Sequence, residues 1–190
     1  GNTSQPNLNS VVEALRFQAR DTQLDPLILN YYSKYWEIVR SYYRSFDNGL
    51  RASDSGVYHH EIPEGQYTNL KQQAAALGLI DRWSEVETTY AEVNKLFGDI
   101  VKVTPSSKVV GDLALFLIAR GMVPNDLLKL DVQHDLGLPE SVIELFDGAL
   151  GTPAGGWPKK LQKIVLRGKP PRRTASENNF PPVNFTKTKR

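Results

Sequence analysis

The stretch Val101–Gly121, VKVTPSSKVVGDLALFLIARG, decides the fold. Its second part, KVVGDLALFLIARG from Lys108 to Gly121, is apolar nearly all round a helix of 3.6 residues per turn. A helix without a wide polar face has no side to give to water. It therefore predicts a central, buried helix with other helices packed around it. The first part differs in kind. Thr104, Ser106, Ser107 and Lys108 put hydroxyls and an ammonium at the mouth of that apolar helix. Thr104 fits the N-cap and Pro105 the first helical position, with Ser106 and Ser107 filling the first turn. In that geometry Thr104 accepts a bond from a backbone N–H near Ser107 and keeps its own O–H free to donate. Lys108 opposes the macrodipole, a choice that often has a reason outside the helix. The cluster is either a plain helix cap or a site for a polar or anionic ligand that needs donors and one movable proton.

Outward from this stretch the pattern stays helical. Upstream, Val86, Tyr90, Val93 and Phe97 share one face of a helix that Ser84 and Glu87 open as a capping box and Gly98 ends. Before it, Leu70, Ala74 and Leu77 mark a helix that stops at Gly78. Residues 49–65 form a long Ser-, Asp- and Gly-rich connection, in which VYHHEI gives a possible short strand near 57–62. Asp25 and Pro26 make a cap and first-turn pair for a helix whose Tyr32, Tyr35, Trp36, Val39 and Tyr43 share a face. That spacing points to core or a helix–helix contact before it points to a stacking platform. NSVVEALRFQA reads as a short first helix. Downstream, shorter helices follow near Pro124–Leu130 and Pro139–Phe146, and Pro158–Leu166 is the last. Trp83 and Trp157 sit at loop–helix junctions, where they anchor packing. No repeat and no βαβ alternation is visible, so the chain reads as mostly α.

The 190 residues suit one domain with a real core. The net charge of +2 is uneven: six basic residues face Glu177 alone after Gly168, which leaves a mildly acidic body. Residues 169–190 read as a basic linker or tail, without aromatic interleaving or a basic helical face, so no nucleic-acid partner is expected. No run is apolar enough to span a bilayer, and no membrane partner is expected. There is no cysteine, hence no disulfide and no thiolate metal site. His59, His60 and His134 lack ligand spacing, and no metal is expected in this chain. The opening GNTSQP starts on loop chemistry without Met and reads as part of a longer protein.

Several long motifs, in order, resemble one family. FGDIVKVTPSSKVVGDLALF (Phe97–Phe116), TSQP (Thr3–Pro6), GQYTNL (Gly65–Leu70), AEVNKLFGD (Ala91–Asp99) and GGWPKKLQKIVLRGKPP (Gly155–Pro171) are similar to the carboxyltransferase domain of pyruvate carboxylases. The resemblance covers about residues 1–170 collinearly. It implies a helical funnel that follows and caps a (β/α)8 barrel largely absent from this chain. Residues 1–23 would then be the end of the barrel region, 24–168 the helical C-terminal region and 169–190 the linker. It implies an enzyme, a biotin-dependent carboxylase, whose carboxyltransferase half-reaction moves a carboxyl group from carboxybiotin to pyruvate to give oxaloacetate.

By match of motif, Thr104 is the residue that shuttles a proton between the pyruvate methyl and the biotin ring nitrogen, and Ser107 and Lys108 hold the ureido group. The implied partners are pyruvate, a biotin carrier domain, the upstream barrel and further copies in a homo-oligomer. A divalent metal, its aspartate, H-x-H and carboxylated-lysine ligands, and the arginine clamp for pyruvate belong to the barrel. ATP is used by a separate domain. The implied compartment is the cytoplasm, or the mitochondrial matrix in a eukaryote, and the chain alone is expected to be inactive.

One departure is Glu64, where the family usually has a glycine before Gln66; a positive φ there would strain a glutamate. Gln66 and Asn69 either cap a helix start or face the barrel mouth. Two alternatives remain. One is an oxaloacetate decarboxylase or transcarboxylase subunit, against which the lysine of SSK speaks. The other is a non-catalytic helical interaction module, which has no reason to keep Thr104–Lys108 polar.

Overall fold

The computed structural model describes residues 6–46 and 55–172. Most of TSQP and the tail from Arg173 onward lie outside them. Among the described residues the elements are helical throughout: α1 (Leu8–Leu15), α2 (Pro26–Tyr42), α3 (Val57–His60), α4 (Glu64–Ala76), α5 (Trp83–Leu96), α6 (Ser106–Ala119), α7 (Glu140–Asp147) and α8 (Lys159–Val165). Short 3-10 segments lie at Arg44–Phe46, Ile80–Arg82 and Pro124–Lys129.

The apolar stretch is the axis of the fold, as its sequence predicts. Helix α6 buries Val109, Val110, Leu113, Ala114, Leu115, Leu117 and Ile118. Its main partner is α5, which contributes Val86, Tyr90 and Val93, with Phe97 just beyond its end. Each large side chain taken fully out of water favours the fold by about 1.5–3 kcal/mol before ordering costs. Helix α4 crosses α6 at Gly111, where an added Cβ would lie 2.8 Å from Leu70 Cδ1 and 3.0 Å from Gln66 Nε2, so any larger residue must push those side chains aside. Helices α7 and α8 close the other side. There Phe97 stands edge-on to both Phe146 (centroids 5.0 Å apart, 88°) and Trp157 (6.4 Å, 83°), which are tilted against each other at 42°. Gly98, at φ 94°, ends the α5 turn as expected.

Helices α1 and α2 form a separate hairpin. Asn7 and Asp25 cap them, accepting from Ser10 N (3.1 Å) and Leu27 N (2.8 Å). Asn9 Nδ2 donates across the pair to Asn30 Oδ1 at 2.7 Å. Val12 is buried there, but outside the main cluster.

Four expectations are corrected. The segment near 57–62 is not a strand but the helical turn α3, with His59 and His60 N–H groups bonded to Gly56 O at 2.8 and 2.9 Å. A lone strand here would leave those donors unpaired; the turn satisfies them locally. Ser84 and Glu87 form no capping box, because the 3-10 turn at Ile80–Arg82 runs straight into α5 and Glu87 is engaged by Tyr67 Oη (2.8 Å). The aromatic face of α2 is not core: the helix has no buried residue, and Tyr32, Tyr35, Trp36 and Tyr43 are exposed. Phe46 of the turn that follows meets it at Tyr43, ring centroids 6.5 Å apart, and is itself exposed. Glu64 is the first residue of α4 and its backbone is helical, so the feared strain does not arise; the left-handed residue of this loop is Glu61, at φ 58°.

Candidate functional site

The polar mouth of α6 is built differently from a plain cap. The Thr104–Pro105 peptide is cis, and the helix begins at Ser106 rather than at Pro105. Ser107 N–H points to Val103 O (3.4 Å), so the donor expected to cap on Thr104 is already engaged. Thr104 is therefore not the N-cap. Its hydroxyl is exposed and makes no hydrogen bond among the described residues.

Ser106 does the local work instead. Its hydroxyl accepts from Val103 N–H (3.2 Å) and lies within donating distance of Val103 O (2.7 Å) and Val101 O (2.8 Å). One side chain thus folds residues 101–106 back on themselves and leaves Thr104 at the apex.

Ser107 is buried, and its carbonyl accepts a hydrogen bond from Tyr90 Oη at 3.1 Å. Lys108 is half-exposed. Its ammonium donates to Asp112 Oδ2 at 2.7 Å, an oxygen that also accepts from Ser141 Oγ at 2.7 Å. This explains the lysine in an unfavourable helical position: a carboxylate one turn on, pinned by α7, balances it. The remaining ammonium protons are open to a ligand. The three residues singled out in the sequence thus lie at the start of α6, with Thr104 exposed in the turn before it, Ser107 buried in its first turn and Lys108 exposed beside it.

Beneath them lies a group that sequence reasoning missed. Lys102 Nζ pairs with Glu61 Oε2 at 2.7 Å, and Asn94 Nδ2 donates to the same oxygen at 3.2 Å. The Lys102 ammonium holds the Glu61 carboxyl below the usual carboxylate range, against the opposing effect of burial. Burial, with the Glu61 charge adding, pushes the Tyr90 phenol far above its ordinary range, so it stays a donor. Glu61 and Lys102 are 41 residues apart, and no periodicity links them.

The histidines play other parts. His60 Nδ1 accepts from Ile62 N–H at 2.9 Å and its ring lies against Tyr67, whose hydroxyl accepts from Trp83 Nε1 at 3.0 Å. Gln66 packs at Gly111 and Asn69 is exposed; neither caps α4. No helix of the described residues is long and apolar enough to cross a membrane.

A helical region with a donor-lined mouth on its central helix is the class that fold and site define. The chain belongs to the conserved carboxylase domain family, whose model matches residues 57–190. Among curated relatives it is similar to the pyruvate carboxylase of Bacillus subtilis, 46% identical over 188 residues covering 97% of this chain and 16% of that protein. It is also similar to the human mitochondrial pyruvate carboxylase, 38% identical over 188 residues with the same coverage. The chain therefore spans about a sixth of the length of these relatives. Among solved structures it superposes on the carboxyl transferase domain of Rhizobium etli pyruvate carboxylase with a TM-score of 0.84 and 49% identity, covering 92% of this chain and 29% of that one. A structure of the same domain with pyruvate and biocytin matches with the same TM-score, identity and coverage.

Proposed function

We propose that this chain is the C-terminal helical part of a carboxyltransferase domain that passes a carboxyl group from carboxybiotin to pyruvate, giving oxaloacetate. The observation that carries this is the Thr104 hydroxyl, exposed and without a hydrogen bond among the described residues, at the apex of a tightly hydrogen-bonded turn that leads into Ser107 and Lys108. A serine or threonine placed only to cap a helix spends its side chain on the backbone. Thr104 does not.

The donor set fits a ureido group, which offers a carbonyl acceptor to Lys108 and the Ser107 hydroxyl. Carboxybiotin, when bound, supplies the carboxyl group that is transferred. Thr104 Oγ1 holds one proton that it can hand on while accepting another, so neither a free alkoxide nor a protonated alcohol is required. Lys108 places positive charge where negative charge develops on the ureido oxygen, and Asp112 with Ser141 keeps its stem oriented. The exposed aromatic face of α2 is assigned to the barrel that precedes this region, which would cover it.

The test uses the full-length enzyme and its Thr104→Ala variant. Loss of one proton-transfer group should cost about 10²- to 10⁴-fold in pyruvate carboxylation while pyruvate-independent ATP cleavage stays at the parent rate. Equal carboxylation by parent and variant would reduce the stretch to structure.

A further inference from the structure

Thr104 has no side-chain partner among the described residues, and what they do to place its hydroxyl acts on the backbone to either side. Both sides are held from below. On the upstream side, Val101 and Val103 point out into solvent while Lys102, between them, points in and is only 16% exposed along its side chain. An inward position on an extended segment is where an apolar side chain would normally serve, and a lysine is almost never buried there without a partner. The partner is Glu61, on the residue that ends α3, and its carboxylate is tied in turn to Asn94 of α5, a residue of the core. On the downstream side, the buried Tyr90 of the same helix α5 donates to the Ser107 carbonyl. One rigid helix therefore grips both ends of the turn, directly through Tyr90 and through Glu61 by way of Asn94.

We propose that the Glu61–Lys102 ion pair and the Tyr90–Ser107 hydrogen bond are positioning contacts for carboxyl transfer, fixing the two ends of the 102–107 turn so that the Thr104 hydroxyl is presented in one place. The proposal rests on Thr104 being the proton relay. An ion pair of this kind gains little over a well-packed apolar residue in stability, but its direction and length are specific. A relay atom needs that specificity, because displacement by about 1 Å can cost 10²-fold in rate. Glu61, Lys102 and Tyr90 are positioning residues; none of them touches the transferred group.

The test is made in the full-length enzyme with Glu61→Gln, Lys102→Arg, Tyr90→Phe, Thr104→Ala and the double variant Glu61→Gln/Thr104→Ala. The readouts are kcat and KM for pyruvate carboxylation, pyruvate-independent ATP cleavage and the melting temperature. Glu61→Gln should lower transfer kcat by about 10- to 100-fold with KM for pyruvate and ATP cleavage unchanged. Tyr90→Phe should act in the same direction and less. Lys102→Arg keeps the charge but alters reach and geometry, so it should fold with the parent's melting temperature and still lose kcat. Glu61→Gln should add no further loss on the Thr104→Ala background, since both act through one group.

If Thr104→Ala is inactive while Glu61→Gln and Lys102→Arg transfer at the parent rate, the positioning role is wrong and the relay stands. If Glu61→Gln costs the same factor on both backgrounds, it acts elsewhere and the proposal falls. If Thr104→Ala itself transfers normally, the relay fails and the proposal fails with it. Should Glu61→Gln not fold, Lys102→Arg decides alone, because its loss of kcat at an unchanged melting temperature has no purely structural explanation.

Discussion

Phe97, Phe146 and Trp157 lock into one another in the core around α5 to α8, whereas Tyr31, Tyr35, Trp36 and Tyr42 of α2 stand in solvent. Phe97 is 0% exposed and Trp36 62%. The side chains are of one chemical kind, but α2 carries its set along one helix while the core set comes from three separate segments. The difference lies in what faces them. A stripe of aromatics favours burial only when a second surface with its own apolar stripe meets it; α6 and the 3-10 segment Pro124–Lys129 supply one to α5, while α2 buries no residue among the described ones. Periodicity says which face wants a partner; it does not say that the partner is in the same stretch of chain. Under the proposed function the missing surface belongs to the preceding barrel.

The sharpest way to break this comparison is to truncate one member of each set. Phe97→Ala should cost about 3–5 kcal/mol, because the cavity it leaves against Phe146 and Trp157 has no route to collapse. Chemical denaturation reads this as a large fall in midpoint, and a loss under 1 kcal/mol would mean the cluster is looser than its packing implies.

Asp25→Ala should weaken α2 by about 1 kcal/mol through loss of its cap. Since α2 lies apart from the core, helical circular dichroism should fall without a shift in the core's unfolding midpoint. A matching shift would show that the hairpin and the core unfold as one unit.

Smaller still is the acid response of the pair under the site. Glu61 titrates lower in the fold than its ordinary value of 4.5, so the unfolded chain takes up that proton first. Its contribution is complete above that value and is lost as pH falls through the depressed one. The parent should therefore lose stability below pH 4.5 more steeply than Glu61→Gln, measured as midpoint against pH. Parallel curves would remove the ion pair from the stability of the fold.

The least effect on stability is expected where exposure is greatest. Trp36→Ser and Thr104→Ala should each change the unfolding free energy of this chain by less than about 0.5 kcal/mol. An exposed patch of this size should nonetheless make the chain self-associate, and sedimentation should show Trp36→Ser shifting it toward monomer.

The pattern of apolar residues in Lys108–Gly121 was enough to name the central helix, and the face of α5 with Leu70 and Ala74 of α4 followed the same rule because 3.6-residue periodicity is a local property of sequence; Leu77, past the end of α4, is exposed instead. Gly98 and the Asp25–Pro26 pair were legible for the same reason: caps and stops are made by neighbours along the chain. The cluster of Thr104, Ser107 and Lys108 was legible too, as a set of donors at a helix mouth. Its working geometry was not. That Ser106 rather than Thr104 satisfies the backbone, that Asp112 and Ser141 balance Lys108, and that Glu61, Asn94 and Tyr90 brace the turn all depend on contacts between distant elements. The helical turn at Val57–His60 opens like a strand, on a β-branched and an aromatic residue, and what decides against one is that no strand among the described residues offers it a pairing edge. The order of residues determined the longer helices and where polar chemistry gathers, but not the short turn at Val57–His60. The tertiary structure alone decided which hydroxyl stays free and which aromatic face stays bare, because both follow from what stands opposite in space and leave no trace in the order of residues.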